Sequence, residues 1–306
     1  KTNEEEELKM TQAKICILIA IVFYLGLVLY IGYRCSKKNK NTDDFYLGGR
    51  KLGPFVTAMS AEASDMSSYL LMGIPGLAYL SGIADAGWTI IGLAVGTYLN
   101  FLIVAKKLRR YSKIADNAIT LPQFFKNRYH DSSNALLYIA AIVIVVFFIP
   151  YTASGFAACG KLFSSLFGVN YMAAMIVSAI VIVGYTTLGG FLAASTTDLI
   201  QSIIMSIALI IVFVFGVNVA GGFGVVMENA KALPGYLTMF ATHHAEDGTS
   251  SPYGIITIVS TLAWGLGYFG MPHVLLRFMA IEDARKLDLS RRVATVWVVI
   301  SMAVAI

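Results

Sequence analysis

The chain has 306 residues, of which 57% are hydrophobic and 13% are charged, with a formal net charge of +5 and a mean hydropathy of +0.71. Soluble domains carry about a quarter charged residues, so this composition excludes a soluble globular domain. Long apolar runs without period-two alternation are typical of helices and not of a β-barrel. The composition therefore predicts an all-α polytopic membrane protein.

The apolar runs have the length of about 20 residues that a helix needs to cross a bilayer. The regular runs lie at residues 15–33, 86–105, 135–160, 169–195 and 199–220. Two further runs, 54–80 and 253–276, are as long but irregular, because they contain glycine, proline and polar residues. An eighth run opens at Val293 and is cut off at Ile306. We therefore expect the chain to be a fragment that ends in its eighth transmembrane helix.

The first run could be confused with the core of a signal peptide. Acidic residues 4–7 precede it, however, and no small-residue cleavage site follows, so a retained helix is favoured. The cysteines Cys16, Cys35 and Cys159 have neither metal-ligand spacing nor the pattern of a disulfide framework. The sequence thus gives no reason to expect a cofactor.

Lysine and arginine are concentrated in alternate loops. The loops after the first, third and seventh runs are rich in both, whereas the intervening loops contain only Lys161 and Lys231. Cytoplasmic loops carry this excess, so we expect an N-terminus outside and a location in the plasma (inner) membrane. The same residues account for the pI near 9.0, so the lipid bilayer, and no nucleic acid, is the expected partner.

Two connections between the runs have features of their own. The external connection at 221–252 is predicted to be a solvated loop, since its His243–His244 pair has no third metal ligand nearby. The cytoplasmic stretch 112–133 contains LPQFFKNRYHD, with Leu121, Phe124 and Phe125 at helical spacing, and predicts a short amphipathic helix at the membrane face.

The second run carries carboxylates at membrane depth. Between residues 60 and 76 the sequence SAEASDMSSYLLMGIPG includes Glu62, Asp65 and four serines. An intramembrane carboxylate is costly unless it faces a cavity or a bound cation. Small polar residues followed by glycine and proline favour a helix that unwinds partway, which is tolerated only where backbone lines a site. This run is predicted to be a binding site.

The seventh run is interrupted in a similar way, by the sequence WGLGYFGMP at 264–272. Close helix packing through small residues is the alternative explanation for the glycines. The second and seventh runs are five apart, however, as expected when two inverted five-helix repeats each begin with a broken helix. We predict a single transporter domain over 1–306, a first repeat at 54–220 preceded by one extra helix, and the start of a second repeat at 253–306.

Motifs along the whole chain resemble the sodium/solute symporter family, and within it the sodium/proline symporters. The matching sequences are DDFYLGGRKLGPFVTAMSA (43–61), ASDMS (63–67), LLMGIPG (70–76), NAITLP (117–122), YTASG (151–155), GGFLA (189–193), WGLGYFGMPH (264–273) and RFMA (277–280). The resemblance implies a LeuT-type inverted-repeat core and sodium-coupled import of a small amino acid, proline, by alternating access. No enzymatic chemistry is implied.

The resemblance also implies site residues. Sodium would bind backbone oxygens of Ala63 and Met66, with Asp65 and Ser67 in the same motif and Asp198 on the sodium path. The residues implied for the substrate pocket are Ser67, Ser68, Tyr69, Tyr151, Trp264, Tyr268 and Pro272. The residues implied in coupling are Asp43, Asp44 and Arg50 of the first cytoplasmic loop.

The chain departs from the family pattern at four positions. Relatives usually have glycine at Glu62, glycine at Ser68, tryptophan at Tyr69 and glutamine at Met271. Three of these lie in or near the implied pocket, so a sodium symporter for another small solute stays open. A transporter-like sensor fused to a signalling domain also stays open.

Glu62 stands three residues before Asp65, so two carboxylates share a helix face. We expect Glu62 to be protonated, to share a cation or to face a water-filled cavity beside the sodium path, which would affect coupling. The alternative is a glutamate that is hydrogen-bonded to a neighbouring helix and has no role in transport.

Overall fold

The computed structural model describes the backbone of residues 2–306 and the side chains from Gln12 onward. The side chains of the acidic residues 4–7 lie outside this described part. The chain is mostly helical and divides into two compact units, one formed by Lys1–Gly49 with Leu137–Thr197 and the other by Arg50–Leu136 with Asp198–Ile306. The all-α prediction is confirmed apart from one small hairpin.

The elements follow the predicted runs in order. The helices are α1 (Thr2–Ser36), α2 (Thr42–Leu47), α3 (Pro54–Met66), α4 (Gly73–Ser81), α5 (Ile83–Asn100), α6 (Lys106–Ile114), α7 (Leu121–Arg128), α8 (Ala135–Phe167), α9 (Tyr171–Val219), α10 (Phe223–Ala232), α11 (Ile255–Leu262), α12 (Pro272–Ala280) and α13 (Leu287–Ala305). The strands are β1 (Ala241–His244) and β2 (Thr249–Pro252), which pair antiparallel. Short 3-10 segments lie at Gly48–Arg50, Ser67–Tyr69, Ala263–Phe269 and Ala284–Lys286.

Within the described residues, four helices are long and apolar enough to cross a membrane. They are Gln12–Ser36, Ile83–Ile114, Ala135–Phe167 and Tyr171–Val219. A bent pair, Ile255–Phe269 and Pro272–Ala280, meets at 43° and makes a fifth if it counts as one span. The predicted run 54–80 is present as the two shorter helices α3 and α4.

The boundary between the predicted runs 169–195 and 199–220 is wrong. The chain is helical over the 49 residues of α9 and is interrupted only at Gly190, where φ is 63° and ψ is −158°. An unbroken helix of that length would extend about 74 Å, more than twice the hydrocarbon thickness of a bilayer. Glycine suits the break because φ is positive and a Cβ would lie 2.7 Å from the Phe45 carbonyl oxygen.

In the first unit, α1 and the segment after it pack on α9. The Asn39 amide donates to the Gly189 carbonyl oxygen at 3.1 Å, next to the break. The side chain of Asn41 accepts a hydrogen bond from the backbone N–H of Asp44 at 2.7 Å and so caps α2. Leu47 and Ala193 are fully buried and form part of the apolar contact of this unit.

In the second unit, α3 packs against both α12 and α13, and α5 packs against the 3-10 segment 263–269. The rings of Phe101 and Phe278 lie 4.5 Å apart in this core, with Met66, Val298 and Met302 fully buried around them. Burial of such side chains is worth about 1.5–3 kcal/mol each. This core places the two broken helices side by side.

Two predicted loops are ordered structure. The basic sequence after the third run continues the helix through a π-helical turn at Phe101–Ala105 into α6. The connection at 221–252 contains α10 and the β1–β2 hairpin, so the solvated-loop prediction is wrong there. His243 is 4% exposed, and its Nδ1 lies 2.9 Å from the Pro234 carbonyl oxygen. The short helix predicted within 112–133 is present as α7.

Candidate functional site

The first broken helix is interrupted where the sequence predicted. α3 ends at Met66, and Ser67 has φ 48° and ψ −145°, a conformation that residues other than glycine seldom adopt. The Ser67 N–H donates to the Ala63 carbonyl oxygen, and the Leu70 N–H donates to that of Met66 at 3.3 Å. Each of these oxygens keeps a second lone pair, so their role as sodium ligands stays a prediction.

The second broken helix is interrupted by glycines at a helix crossing. The 3-10 segment 263–269 separates α11 from α12. A Cβ at Gly265 would overlap the Gly92 carbonyl of α5, so only glycine allows this backbone-to-backbone approach. The amide of Asn100 on α5 donates to the Tyr268 carbonyl oxygen at 2.8 Å. The irregular segment is therefore held on α5 as ordered structure.

Asp198 forms a buried ion pair with Arg277. Its Oδ2 accepts from Arg277 Nη2 at 2.9 Å, from Ser60 Oγ at 2.7 Å and from Ser64 Oγ at 2.9 Å. The guanidinium also donates to both serine hydroxyls and to the His273 carbonyl oxygen. The network joins α3, α9 and α12, and it leaves neither charge isolated in a low-dielectric region.

Asp198 directly precedes the predicted run 199–220, but it does not lie at the end of a helix. The helix begins again directly after Gly190, so Asp198 lies about two turns inside it. This shift explains how its carboxylate reaches the middle of α3.

The carboxylates of α3 have different surroundings. Asp65 Oδ1 lies 3.6 Å from His273 Nε2. Glu62 is 2% exposed and accepts a hydrogen bond from Thr97 Oγ1 of α5 at 3.2 Å. The Tyr268 hydroxyl lies near both carboxylates and near Thr97. Glu62 therefore contacts α5, whereas Asp65 lies beside α12 of the second broken helix.

The aromatic residues predicted for the pocket separate into exposed and buried ones. The rings of Tyr69 and Trp264 lie 4.9 Å apart, and Trp264 is 48% exposed whereas Tyr268 is 3% exposed. Ser67 and Ser68 are exposed beside the first break. Pro272 is the first residue of α12. The first break and the Tyr69–Trp264 pair thus form one accessible surface.

Tyr151 belongs to α8 in the first unit, where its ring lies 5.4 Å from that of Phe148. Asp43 and Asp44 also belong to that unit and open α2. A role for these residues at the pocket or in coupling stays a prediction.

Arg50 holds together three segments of the second unit. Its guanidinium donates to Met279 O at 2.8 Å, to Ala118 O at 2.9 Å, and to Ser112 Oγ and Asn117 Oδ1 at 3.1 Å each. Arg109 donates to the Ile281 carbonyl oxygen at 2.6 Å. Two guanidinium groups therefore lie at the C-terminal end of α12, the negative end of its dipole.

Several residues of the site have no counterpart in the sequence-based prediction. They are Ser60, Thr97, His273 and Arg277. From the sequence, Arg277 is one of the positive charges of a basic loop. It lies within one turn of an apolar run that contains a predicted binding site, and this position indicates that it pairs with a carboxylate.

Comparisons with known proteins agree with the family resemblance of the sequence motifs. Residues 45–306 match the profile of a family described as the sodium:solute symporter family. The chain is 43% identical over 289 residues to a protein named sodium/proline symporter 2 of Staphylococcus saprophyticus, covering 94% of this chain and 54% of that protein. It is 42% identical over 287 residues to an osmoregulated proline transporter of Bacillus subtilis, covering 94% of this chain and 56% of the relative.

A sodium/proline symporter of Staphylococcus aureus is 42% identical over 291 residues, covering 95% of this chain and 54% of that protein. The chain thus spans about half the length of these relatives. The fold resembles a solved structure of a Na⁺-coupled sialic acid symporter in a substrate-bound outward-open state, with a TM-score of 0.72 and 19% identity over 94% of this chain and 58% of that chain. At that identity the likeness concerns the fold alone.

Proposed function

Because the chain belongs to the sodium:solute symporter family, we propose that the full-length protein is a sodium-coupled symporter that imports proline by alternating access. The observation that carries the proposal is the pair of broken helices that meet in the second unit, one rich in carboxylates and hydroxyls and the other in positive groups. The relatives named as proline transporters support proline as the substrate. The chemistry is transport, with no covalent step.

Sodium would bind at the C-terminal end of α3. Sodium is a hard cation that prefers oxygen ligands, and the C-terminal end of a helix carries partial negative charge. Asp65 adds a full charge there, and the carbonyl oxygens of Ala63 and Met66 and the hydroxyl of Ser67 supply neutral ligands. Ser64, next to Asp65, donates to Asp198, so a path from this site to Asp198 follows one face of α3.

The substrate would bind at the N-terminal ends of the second halves. Within the described chain, neither α4 nor α12 has a side chain that caps its first N–H groups. The positive ends of these helices suit a substrate carboxylate. The proline ring would pack on the accessible Tyr69–Trp264 pair, and its ammonium group could lie over an aromatic face. Ser68 and Pro272 would line the same surface.

The remaining parts of the proposal concern architecture. We place the chain in the inner (plasma) membrane with its N-terminus outside and one helix before a LeuT-type pair of inverted repeats, the first at 54–220 and the second from 253. Arg50 supports a coupling role, because it holds the cytoplasmic end of α12 against the 112–118 segment. Asp43 and Asp44 would act at the same membrane face.

A sodium symporter for a different small solute is the second candidate. It is favoured by Tyr69, which lies against Trp264, in place of the tryptophan usual in the family. Uptake into proteoliposomes under an inward sodium gradient tests the choice. Labelled proline should enter, and unlabelled proline should compete better than other small amino acids or short carboxylates. Stronger competition by another solute would replace proline as the substrate.

A further inference from the structure

Glu62 is a buried carboxylate that the proposed transport cycle does not use. It is 2% exposed, and among the residues that the structure describes no lysine, arginine or histidine lies within ion-pair distance of it. Asp65 and Asp198, by contrast, have His273 and Arg277 beside them. A buried charge without a partner is strongly unfavourable. A proton or a bound cation must therefore neutralise Glu62.

A buried hydroxyl group lies at the same place. The Tyr268 side chain is 3% exposed, and its hydroxyl lies near Glu62, Asp65 and Thr97. Over residues 12–306 this hydroxyl is among the buried oxygens that have no hydrogen bond of regular geometry. Since buried polar atoms are nearly always paired, this hydroxyl indicates a missing ligand.

The spacing of the oxygens fits a cation. Thr97 Oγ1 and Glu62 Oε2 are 3.2 Å apart, whereas hydroxyl hydrogen bonds are usually about 2.5–3.0 Å long. Oxygens bound at 2.3–2.6 Å around a cation the size of Na⁺ or Ca²⁺ lie roughly 3.3–3.7 Å apart when they are at right angles. The Thr97–Glu62 contact is therefore a long hydrogen bond, and its spacing is close to that of two neighbouring ligands.

We propose that Glu62, Thr97 and Tyr268 form a second sodium site, next to the one expected at Asp65 and the break after Met66. The donors are all oxygens and Glu62 supplies one full negative charge, which suits a hard monovalent cation. Divalent calcium usually takes more carboxylates. The site would link α3 to α5 and to the 263–269 segment, so its occupancy would hold the two broken helices together. The inference rests on the proposed function only for the identity of the ion.

Equilibrium binding of ²²Na⁺ to the purified full-length protein, without substrate, tests the proposal. The parent should bind one more sodium ion per protein than Glu62→Gln, which keeps the shape of the side chain and removes its charge. Thr97→Val should weaken the second binding event at least tenfold. Glu246→Gln, in the exposed hairpin turn, should bind like the parent. If Glu62→Gln does not fold, Thr97→Val carries the test alone.

Equal sodium stoichiometry and affinity in the parent and in both site variants would overturn the second site. The second site would also be overturned if the parent binds a single sodium ion and Glu62→Gln still binds it. Proline uptake, measured in parallel, separates this result from the proposed function. If Glu62→Gln loses one sodium ion but the parent shows no sodium-driven uptake, the second site is supported and the symport is rejected. If the parent shows sodium-driven uptake but the variants bind sodium as the parent does, the symport is supported and the second site is rejected.

Discussion

The two broken helices of the second unit differ in chemistry and in how they are interrupted. The first carries Glu62 and Asp65 and is broken at an exposed serine with positive φ. The second carries His273 and Arg277 and is broken by glycines that press against α5. Asp65 of the first helix lies 3.6 Å from His273 of the second. Arg277 pairs with Asp198 of α9, which belongs to neither broken helix. Glu62 is the exception that has no basic neighbour among the described side chains.

The two breaks also differ in their contacts, since the first is exposed and the second is held against α5. Ser67 lies at the surface of the second unit, where a substrate or an ion can reach it. The 263–269 segment is fixed by the Asn100 hydrogen bond and by the glycine crossing. We therefore expect rearrangement during transport to begin at the first break, with the second as the surface against which it moves.

The largest expected effect is on the buried ion pair between Arg277 of α12 and Asp198 of α9. Arg277→Ala leaves Asp198 buried beside two hydroxyls, and loss of one partner of a buried pair costs about 3–5 kcal/mol. Unfolding of the purified full-length protein measures it. Arg285→Gln is the matched control, because the Arg285 side chain is 85% exposed in its pair with Asp283. Similar stability of the two variants would contradict the pairing of the helices.

A double-mutant cycle sharpens that result. If Arg277 and Asp198 act as a pair, Asp198→Asn combined with Arg277→Ala should destabilise the protein less than the sum of the two single changes. Additive effects on the free energy of unfolding would mean that the two residues contribute independently.

Asp65 is expected to affect sodium binding more than stability. Asp65→Ala removes the only full negative charge of the expected sodium site, so the sodium concentration needed for substrate binding should rise tenfold or more, about 1.4 kcal/mol. Asp247→Ala in the hairpin turn is the control. Unchanged sodium dependence in Asp65→Ala would remove the carboxylate from the site.

Replacement of Trp264 and replacement of Tyr268 should weaken substrate binding in different ways. Trp264→Ala removes a half-exposed ring on which proline would pack. If that ring contact is worth about 0.5–1.5 kcal/mol, proline should bind roughly three- to tenfold more weakly, with a small effect on the unfolding temperature. Tyr268→Ala should weaken binding and also destabilise the fold, because the ring is buried. Tyr268→Phe keeps the packing and isolates the hydroxyl. Normal proline binding by both alanine variants would make these rings ordinary packing residues.

The smallest effect is expected at the exposed pair of Asp283 and Arg285. Hydrogen bonds from the Arg285 side chain, and then from its backbone N–H, lower the pKa of Asp283 to about 2. Because this pKa is depressed in the folded state, the stabilisation is present above about pH 4 and disappears as the pH falls through about 2. Arg285→Gln should therefore unfold slightly earlier than the parent at pH 7, with the difference vanishing toward pH 2. A difference that grows on acidification would contradict this assignment.

The sequence was sufficient for features that depend on local chemistry. Apolar runs without charges gave the long helices, and serine, glycine and proline inside two of them gave both breaks within a few residues. The Gly190 break was displaced because a single glycine in an apolar run gives no polar signal. The hairpin at 241–252 was missed because burial of His243 depends on contact with Pro234 rather than on its neighbours in sequence.

The partners of the charged residues could not be predicted from the sequence. Arg277 and Asp198 are separated by 79 positions, and Thr97 and Glu62 by 35, so each pair depends on how helices cross. The sequence identified the carboxylates as costly in a membrane, which is a local property. It did not identify what offsets that cost, which is a property of the packed unit.

Simultaneous measurement of ²²Na⁺ and labelled proline flux into proteoliposomes tests the central claim most directly. With the full-length protein and an inward sodium gradient, the two fluxes should rise together, proline should accumulate above its external concentration, and Asp65→Ala should reduce both. Proline entry that proceeds without sodium entry, or at the same rate after the sodium gradient is collapsed, would contradict the account.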